Sequence, residues 1–161
     1  MKHINLKHRT YFITTNTEHK TKIFTAEKTC HLLLFFMDYY RKQFEYLIYG
    51  YVIMPDHFHW LIHLGDKADP PLIMGRLKGR TSYEINQSLN RKGKLWQDNY
   101  YDHVIRNGLD FKEKINYIHK NPYQNGLVKK IEDYKYSSYR NYYLGDDSVF
   151  KFDYPNFDVV K

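Results

Sequence analysis

The stretch Tyr51-Val-Ile-Met-Pro-Asp-His-Phe-His-Trp-Leu-Ile-His-Leu64 decides how this chain is read. Apolar runs flank Pro55-Asp56, a turn signal, so the segment reads as two strands of a hairpin with His57 opening the second. In a strand, residues i and i+2 share a face. His57 and His59 therefore point the same way and Phe58 the other, a geometry in which two imidazoles can hold one cation. His63 falls on that face too, but ~13 Å further along a strand rising ~3.3 Å per residue, too far to share the ion. Two imidazoles do not complete a site for a divalent ion, so a further ligand must come from elsewhere. The alternative is that they are ordinary polar residues on a half-exposed strand.

A length of 161 residues is sequence for one domain, with residues 11–140 as its core and 141–161 as a tail. The formal charge is +7 and the chain holds 17 Tyr and 10 Phe, so cations and flat aromatic faces occur together. That mixture suits single-stranded nucleic acid, with Lys and Arg on phosphates and rings on bases. The lone cysteine, Cys30, cannot form an internal disulfide and reads as a buried, inert thiol. No run approaches the ~20 apolar residues of a membrane span. The basic start, Met1 to Arg9, has no signal-peptide core. A cytoplasmic location is the expectation.

Tyr11 to Asn16 is β-branched and aromatic and predicts a first strand. A helix follows over about 26–42, with Thr25 as its N-cap, and then strands over Phe44–Met54 and His57–Leu64. Pro70-Pro71 should hold off the next helix until Leu72; from there to about Leu89 apolar residues recur at helical spacing, and Arg76, Lys78 and Arg80 give it a cationic surface. Leu95 to Arg106 leads into a fourth strand with His103 and Ile105 on one face and Val104 and Arg106 on the other. A helix from Asp110 follows, with Phe111, Ile115 and Ile118 as its apolar stripe; Asn121-Pro122 should cap and open a short further helix ended by Gly126. The order β-α-β-β-α-β is that of an α+β, ferredoxin-like (split βαβ) sandwich with an antiparallel sheet, here with an added carboxy-terminal helix. Helices would cover one face of the sheet and leave the histidine face open to a ligand.

On the added helix Tyr117 and Asn121 are four residues apart and project from one side, a phenol beside a carboxamide oxygen able to complete a His₂ site. Tyr83 and Gln87 on the earlier helix have the same spacing, and local sequence does not choose between the pairs. Asn121 also reads as a simple N-cap before Pro122.

At this point the chain resembles the single-tyrosine HUH transposases, and among them the REP-associated tyrosine transposases. The resemblance rests on Val52-Ile-Met-Pro-Asp-His-Phe-His59, Leu95-Trp-Gln-Asp-Asn-Tyr-Tyr-Asp-His-Val-Ile-Arg106, Tyr117-Ile-His-Lys-Asn-Pro-Tyr-Gln-Asn-Gly-Leu-Val128 and Asp133-Tyr-Lys-Tyr-Ser-Ser-Tyr139, in the family's order. It implies that His57 and His59 are metal ligands, that Tyr117 is the nucleophile, and that Asn121 stands where many relatives have glutamine. It decides against Tyr83 and Gln87. It further implies Mg²⁺ or Mn²⁺ as cofactor, single-stranded DNA carrying a hairpin as partner, and cleavage and rejoining through a 5′-phosphotyrosine. A homodimer is compatible with it. Arg76, Lys78, Arg80, His103 and Arg106 are the candidate DNA contacts. The amino-terminal recognition motif of the family is here only Arg9-Thr-Tyr-Phe-Ile-Thr-Thr15.

The implied chemistry uses the metal as Lewis acid on the scissile phosphate while the Tyr117 oxygen attacks phosphorus and a 3′-hydroxyl leaves. A free phenol is mostly protonated at neutral pH, so a nearby cation or the metal must favour the phenolate. Two rivals stand beside this reading. One is a catalytically silent protein that grips DNA or RNA hairpins. The other is a histidine-triad nucleotide hydrolase, which would want a histidine where Leu61 stands.

Overall fold

The computed structural model describes residues 7–155; Met1–Leu6 of the basic start and 156–161 of the tail lie outside them. Four strands, β1 (Thr10–Asn16), β2 (Leu47–Met54), β3 (His57–His63) and β4 (Tyr101–Val104), form one antiparallel sheet in the order β2-β3-β1-β4. With α1 (Glu27–Phe44) and α2 (Pro70–Ser88) this is the ferredoxin-like sandwich, followed by α3 (Gly108–Gln124) and a short α4 (Tyr139–Leu144).

Alternation along β3 sorts the two cores. Phe58, Trp60 and Ile62 face α1 and α2, packing with Leu33, Met37, Ile73 and Leu77. Leu61 faces the other way with Phe12, Val52 and Met54, under Phe111, Ile115 and Ile118 of α3. The stripe expected for this helix is thus the one buried. The histidine face is only partly open, because α3 covers its β2 side. Cys30 is buried in the first core, which raises its thiol pKa to about 12 and makes it unreactive.

Several helix boundaries differ from expectation for definable reasons. Thr25 is not a cap: α1 follows Ala26 without a side-chain cap bond, while the Thr29 hydroxyl donates to the carbonyls of Ile23 and Ala26. The first helix runs on to Phe44, where Glu45 turns left-handed at φ 55°, so β2 starts at Leu47. Pro70 and Pro71 do not delay α2 but open it, since a first turn has no use for their missing N–H; Asp69 caps it by accepting from the Leu72 amide at 3.0 Å. Nor does Pro122 start a new helix. Residues 108–124 are continuous, Asn107 is the N-cap, and Pro122 lies in the last turn, just before a Schellman ending in which Gly126 takes φ 74° and the amides of Gly126 and Leu127 donate to Tyr123 and Pro122. Asn121 is therefore not an N-cap.

Two devices seat α3 on β2. Tyr49 is an extra residue in the β2–β3 register, a bulge that turns it and Gly50 to the same face. A β-carbon on Gly50 would lie 2.4 Å from the Ile115 Cδ1 atom, so the helix rests on bare backbone there. The second device is polar: Ser138 Oγ accepts from the Tyr51 amide at 3.0 Å and lies 2.8 Å from His119 Nε2. The segment around it also pairs with the β2 edge, through a Val52–Ser137 bridge and a bond from the Ile53 amide to the Tyr136 carbonyl.

Substituting Gly50→Val should overpack this seat and cost about 1–3 kcal/mol, read as a lower urea midpoint. Burial lowers the His119 pKa from 6.5 to about 3. The unfolded chain then binds the extra proton between those values, so this contribution to stability is complete above pH 6.5 and is lost as pH falls toward 3. Melting temperature of the metal-free protein should fall across that window, and less steeply for His119→Gln; equal slopes would refute the assignment.

Candidate active site

β3 delivers His57 and His59 to the same side of the sheet, with ring centroids 4.8 Å apart. Each has a partner on Nδ1. Asp56, from the hairpin turn, lies 2.6 Å from that of His57, and Thr14, directly across on β1, 2.7 Å from that of His59. Such partners orient imidazoles and leave the Nε2 atoms to a ligand. His59 is 4% exposed. Its burial, then the neighbouring His57 and Lys20, lower its pKa to about 3, so it is neutral. Burial also lowers the pKa of His57, against the opposing pull of Asp56. His63 is occupied elsewhere, 2.9 Å from the Thr10 hydroxyl.

Helix α3 brings both of its candidate residues to this point. Tyr117, half exposed, sets its ring edge-on to His59 at 5.2 Å. One turn later the buried Asn121 has its carboxamide nitrogen 3.3 Å from His59 Nε2. Phe12 is the common floor, stacked on His59 at 5.4 Å and edge-on to Tyr117 at 6.0 Å, with Lys114 Nζ 5.8 Å from its ring centre. A cavity of about 430 Å³ opens above, lined by Phe12, Thr14, His59, Tyr101, Glu113, Lys114 and Tyr117. A larger groove of about 780 Å³, between α1 and residues 147–151, contains none of these groups.

The donor set fits a small divalent ion. Two neighbouring imidazoles and an amide side chain in contact with one of them are of the right chemical types, although the Asn121 atom that meets His59 is the carboxamide nitrogen, so its oxygen could ligate only with the amide turned over. Among the described residues no group of three or more His, Cys, Asp or Glu could hold a metal. Among the described residues a third ligand would thus be an amide, a hydroxyl or a main-chain oxygen.

The remaining candidates are dispersed. Tyr83 and Gln87 lie on α2, across the sheet from the histidines. Arg76, Lys78 and Arg80 share that far layer. Lys78 Nζ donates to the carbonyls of Gln97 and Asp98, and Arg80 pairs with Glu84 and covers Phe36. His103 and Arg106 stand at β4, next to the cavity, tied to Asp110. This buried carboxylate accepts from the Arg106 amide at 2.9 Å and lies 2.8 Å from His103 Nε2. Burial raises its pKa, but these partners hold it below the ordinary value.

The sequence offers no role for Thr14 or Lys114, and shows Asp56 only as a turn residue. Thr14 could have been found from strand pairing, and Lys114 from its place one turn before Tyr117.

The sequence profile described as Transposase IS200 like matches residues 5–121. The chain belongs to the IS200-like transposase family. An Escherichia coli K12 REP-associated tyrosine transposase is 24% identical over 137 residues, covering 83% of this chain and 78% of its own. A Haemophilus influenzae relative assigned to the same group is 27% identical over 142 residues, covering 80% and 78%. Among solved structures, a REP-associated tyrosine transposase bound to a REP hairpin superposes with a TM-score of 0.74 at 21% identity, over 100% of this chain and 96% of that one. No helix among the described residues is long and apolar enough to cross a membrane.

The partners on the two Nδ1 atoms generate a prediction. Thr14→Val and Asp56→Asn should each weaken Mn²⁺ binding about tenfold or more in an equilibrium titration, with the fold retained by circular dichroism. Unchanged affinity in both would show that His57 and His59 are not metal ligands.

Proposed function

We propose that this IS200-like transposase cleaves and rejoins single-stranded DNA through a covalent link to Tyr117, at a divalent metal site made by His57, His59 and Asn121. The observation that carries the reading is the placement of Tyr117 and Asn121 against His59, one side chain half exposed at a cavity and the other buried. Family membership supports the reaction class, and the hairpin bound by the solved relative supports a folded single strand as substrate.

In this reading the Tyr117 hydroxyl oxygen attacks the scissile phosphorus. A P–O bond to tyrosine forms, the P–O3′ bond breaks, and the departing oxygen takes up a proton as a 3′-hydroxyl. The DNA 5′ phosphate remains on Tyr117 as a diester, so attack by a second 3′-hydroxyl reverses the step and joins strands without a nucleotide cofactor. Mg²⁺ or Mn²⁺, when bound, supplies Lewis-acid polarisation of the phosphate oxygens. Neutral His57 and His59 offer the lone pairs that hold it, oriented by Asp56 and Thr14. Lys114 lies on the same side of α3 as Tyr117, beside the cavity, and supplies positive charge for phenolate and phosphate. The flanking strand runs past β4, where Arg106 and His103 offer contacts. Arg76 and Arg80 would meet DNA only if it continued round to the helical layer, and the Lys78 ammonium is already held by carbonyls.

The test is incubation with hairpin-bearing single-stranded DNA and Mn²⁺, followed by denaturing electrophoresis for a protein–DNA adduct. Tyr117→Phe should remove the adduct and keep hairpin affinity within about twofold, since it deletes the attacking oxygen and little contact area; Tyr83→Phe should keep both. Hairpin binding by the parent without any adduct would leave a DNA-binding protein that does not cut.

A further inference from the structure

The amide network behind the metal site has one consistent orientation. Asn125 Nδ2 donates to the main-chain oxygen of Asn121 at 2.8 Å and to its side-chain oxygen at 2.9 Å. Both hydrogens of one amide are thereby given to one residue. Reversing the Asn125 amide would bring its oxygen against the Asn121 carbonyl oxygen, two acceptors at hydrogen-bond distance with no proton between them. The Asn125 NH₂ is thus held in place, and an NH₂ cannot accept. The atom of Asn121 that meets it has to be Oδ1.

The consequence passes along the chain of bonds. With Oδ1 held, Asn121 presents its own NH₂ to His59 Nε2 at 3.3 Å. Nε2 then accepts, so the ring proton of His59 sits on Nδ1 and is donated to Thr14 Oγ1. This tautomer has the bare Nε2 that a metal ligand needs, but the lone pair is covered by a donor. To offer oxygen to a metal, Asn121 has to turn over. Its NH₂ would then confront the NH₂ of Asn125.

We infer that Asn125 is a positioning residue, a latch that holds Asn121 in the orientation of the metal-free site and opposes its use as the third ligand. The inference rests on the metal site proposed above. It separates the three ligands by what each must give up: His57 Nε2 has no such cover, His59 Nε2 is freed once Asn121 turns, and Asn121 engages only after its bond to Asn125 at the end of α3 is broken. Without the latch, Asn121 turns without losing a bond to residue 125, and the metal binds more tightly.

Two measurements on the DNA-free protein test this. Long-range ¹H–¹⁵N spectra of the histidine rings in the metal-free parent should show His59 protonated at Nδ1 and bare at Nε2; a proton on Nε2 overturns the network. Mn²⁺ titration, read by the loss of the free-ion electron paramagnetic resonance signal, should give Asn125→Ala a dissociation constant about fivefold lower than the parent, the worth of one ordinary hydrogen bond. Asn125→Ser, which can still donate to the main-chain oxygen one turn back and so protects the helix end, should show the same gain. In an Asn121→Ala background, Asn125→Ala should change nothing, because the effect acts through the Asn121 side chain. Parent-like or weaker binding by both Asn125 variants removes the latch and leaves the metal site standing. If the parent binds no more Mn²⁺ than His59→Ala does, the metal site and the latch fail together.

Discussion

The site depends on how closely a helix can lie on a sheet. His59 and Asn121 belong to different layers, and their 3.3 Å contact exists only because α3 approaches β2 over Gly50, where no side chain intervenes before Ile115. The bulge at Tyr49 helps by turning two successive residues to this face, so a large ring packs beside the gap left by the glycine. Buried hydrogen bonds then fix the height and rotation of α3, with His119 reaching Ser138 and Asp110 holding the start of the helix to β4. Tyr117 itself contributes little to this packing and stays half exposed, which suits a group that must meet a bulky substrate.

Much of this architecture was legible because it follows from short-range rules. Alternation along β3 placed His57 and His59 together and Phe58 away, and the Pro55-Asp56 turn marked the hairpin. Four-residue spacing put Tyr117 and Asn121 on one side of a helix. What local rules could not supply was which helix crosses which face. By spacing alone Tyr83 and Gln87 are equivalent to Tyr117 and Asn121; the resemblance chose between them, and the topology gives the physical reason by setting α2 and α3 on opposite sides of the sheet. Proline misled twice, in opposite senses. Pro70 and Pro71 fit a helix start, where no N–H is needed, and Pro122 is accommodated in a last turn that is already closing. Thr14 and Asn125 became visible only as partners of His59 and Asn121.

Basic composition points to nucleic acid, the class of partner bound in the solved relative, but it does not say which cations are free to meet one. A cation counted in sequence can be committed to a structural task, and Lys78 is an example: two carbonyls hold its ammonium, and burial lowers its pKa. Lys114 contributes no more to the net charge than any other lysine, yet it borders the cavity with Tyr117.

The pairing of Tyr136–Ser138 with β2 has a consequence for the order in which the molecule becomes whole. Ser138 follows Tyr117 by about twenty residues and bonds back to Tyr51, a contact of high sequence separation whose closure entropy must be met late in folding. During synthesis the sheet and its first two helices can assemble while the segment that secures α3 has yet to emerge. Until it arrives, His119 lacks its hydroxyl and the β2 edge lacks Tyr136 and Ser137. A nascent chain therefore carries its candidate nucleophile for some time without a firmly seated helix beneath it, and the geometry that would let it act on DNA belongs to the finished protein.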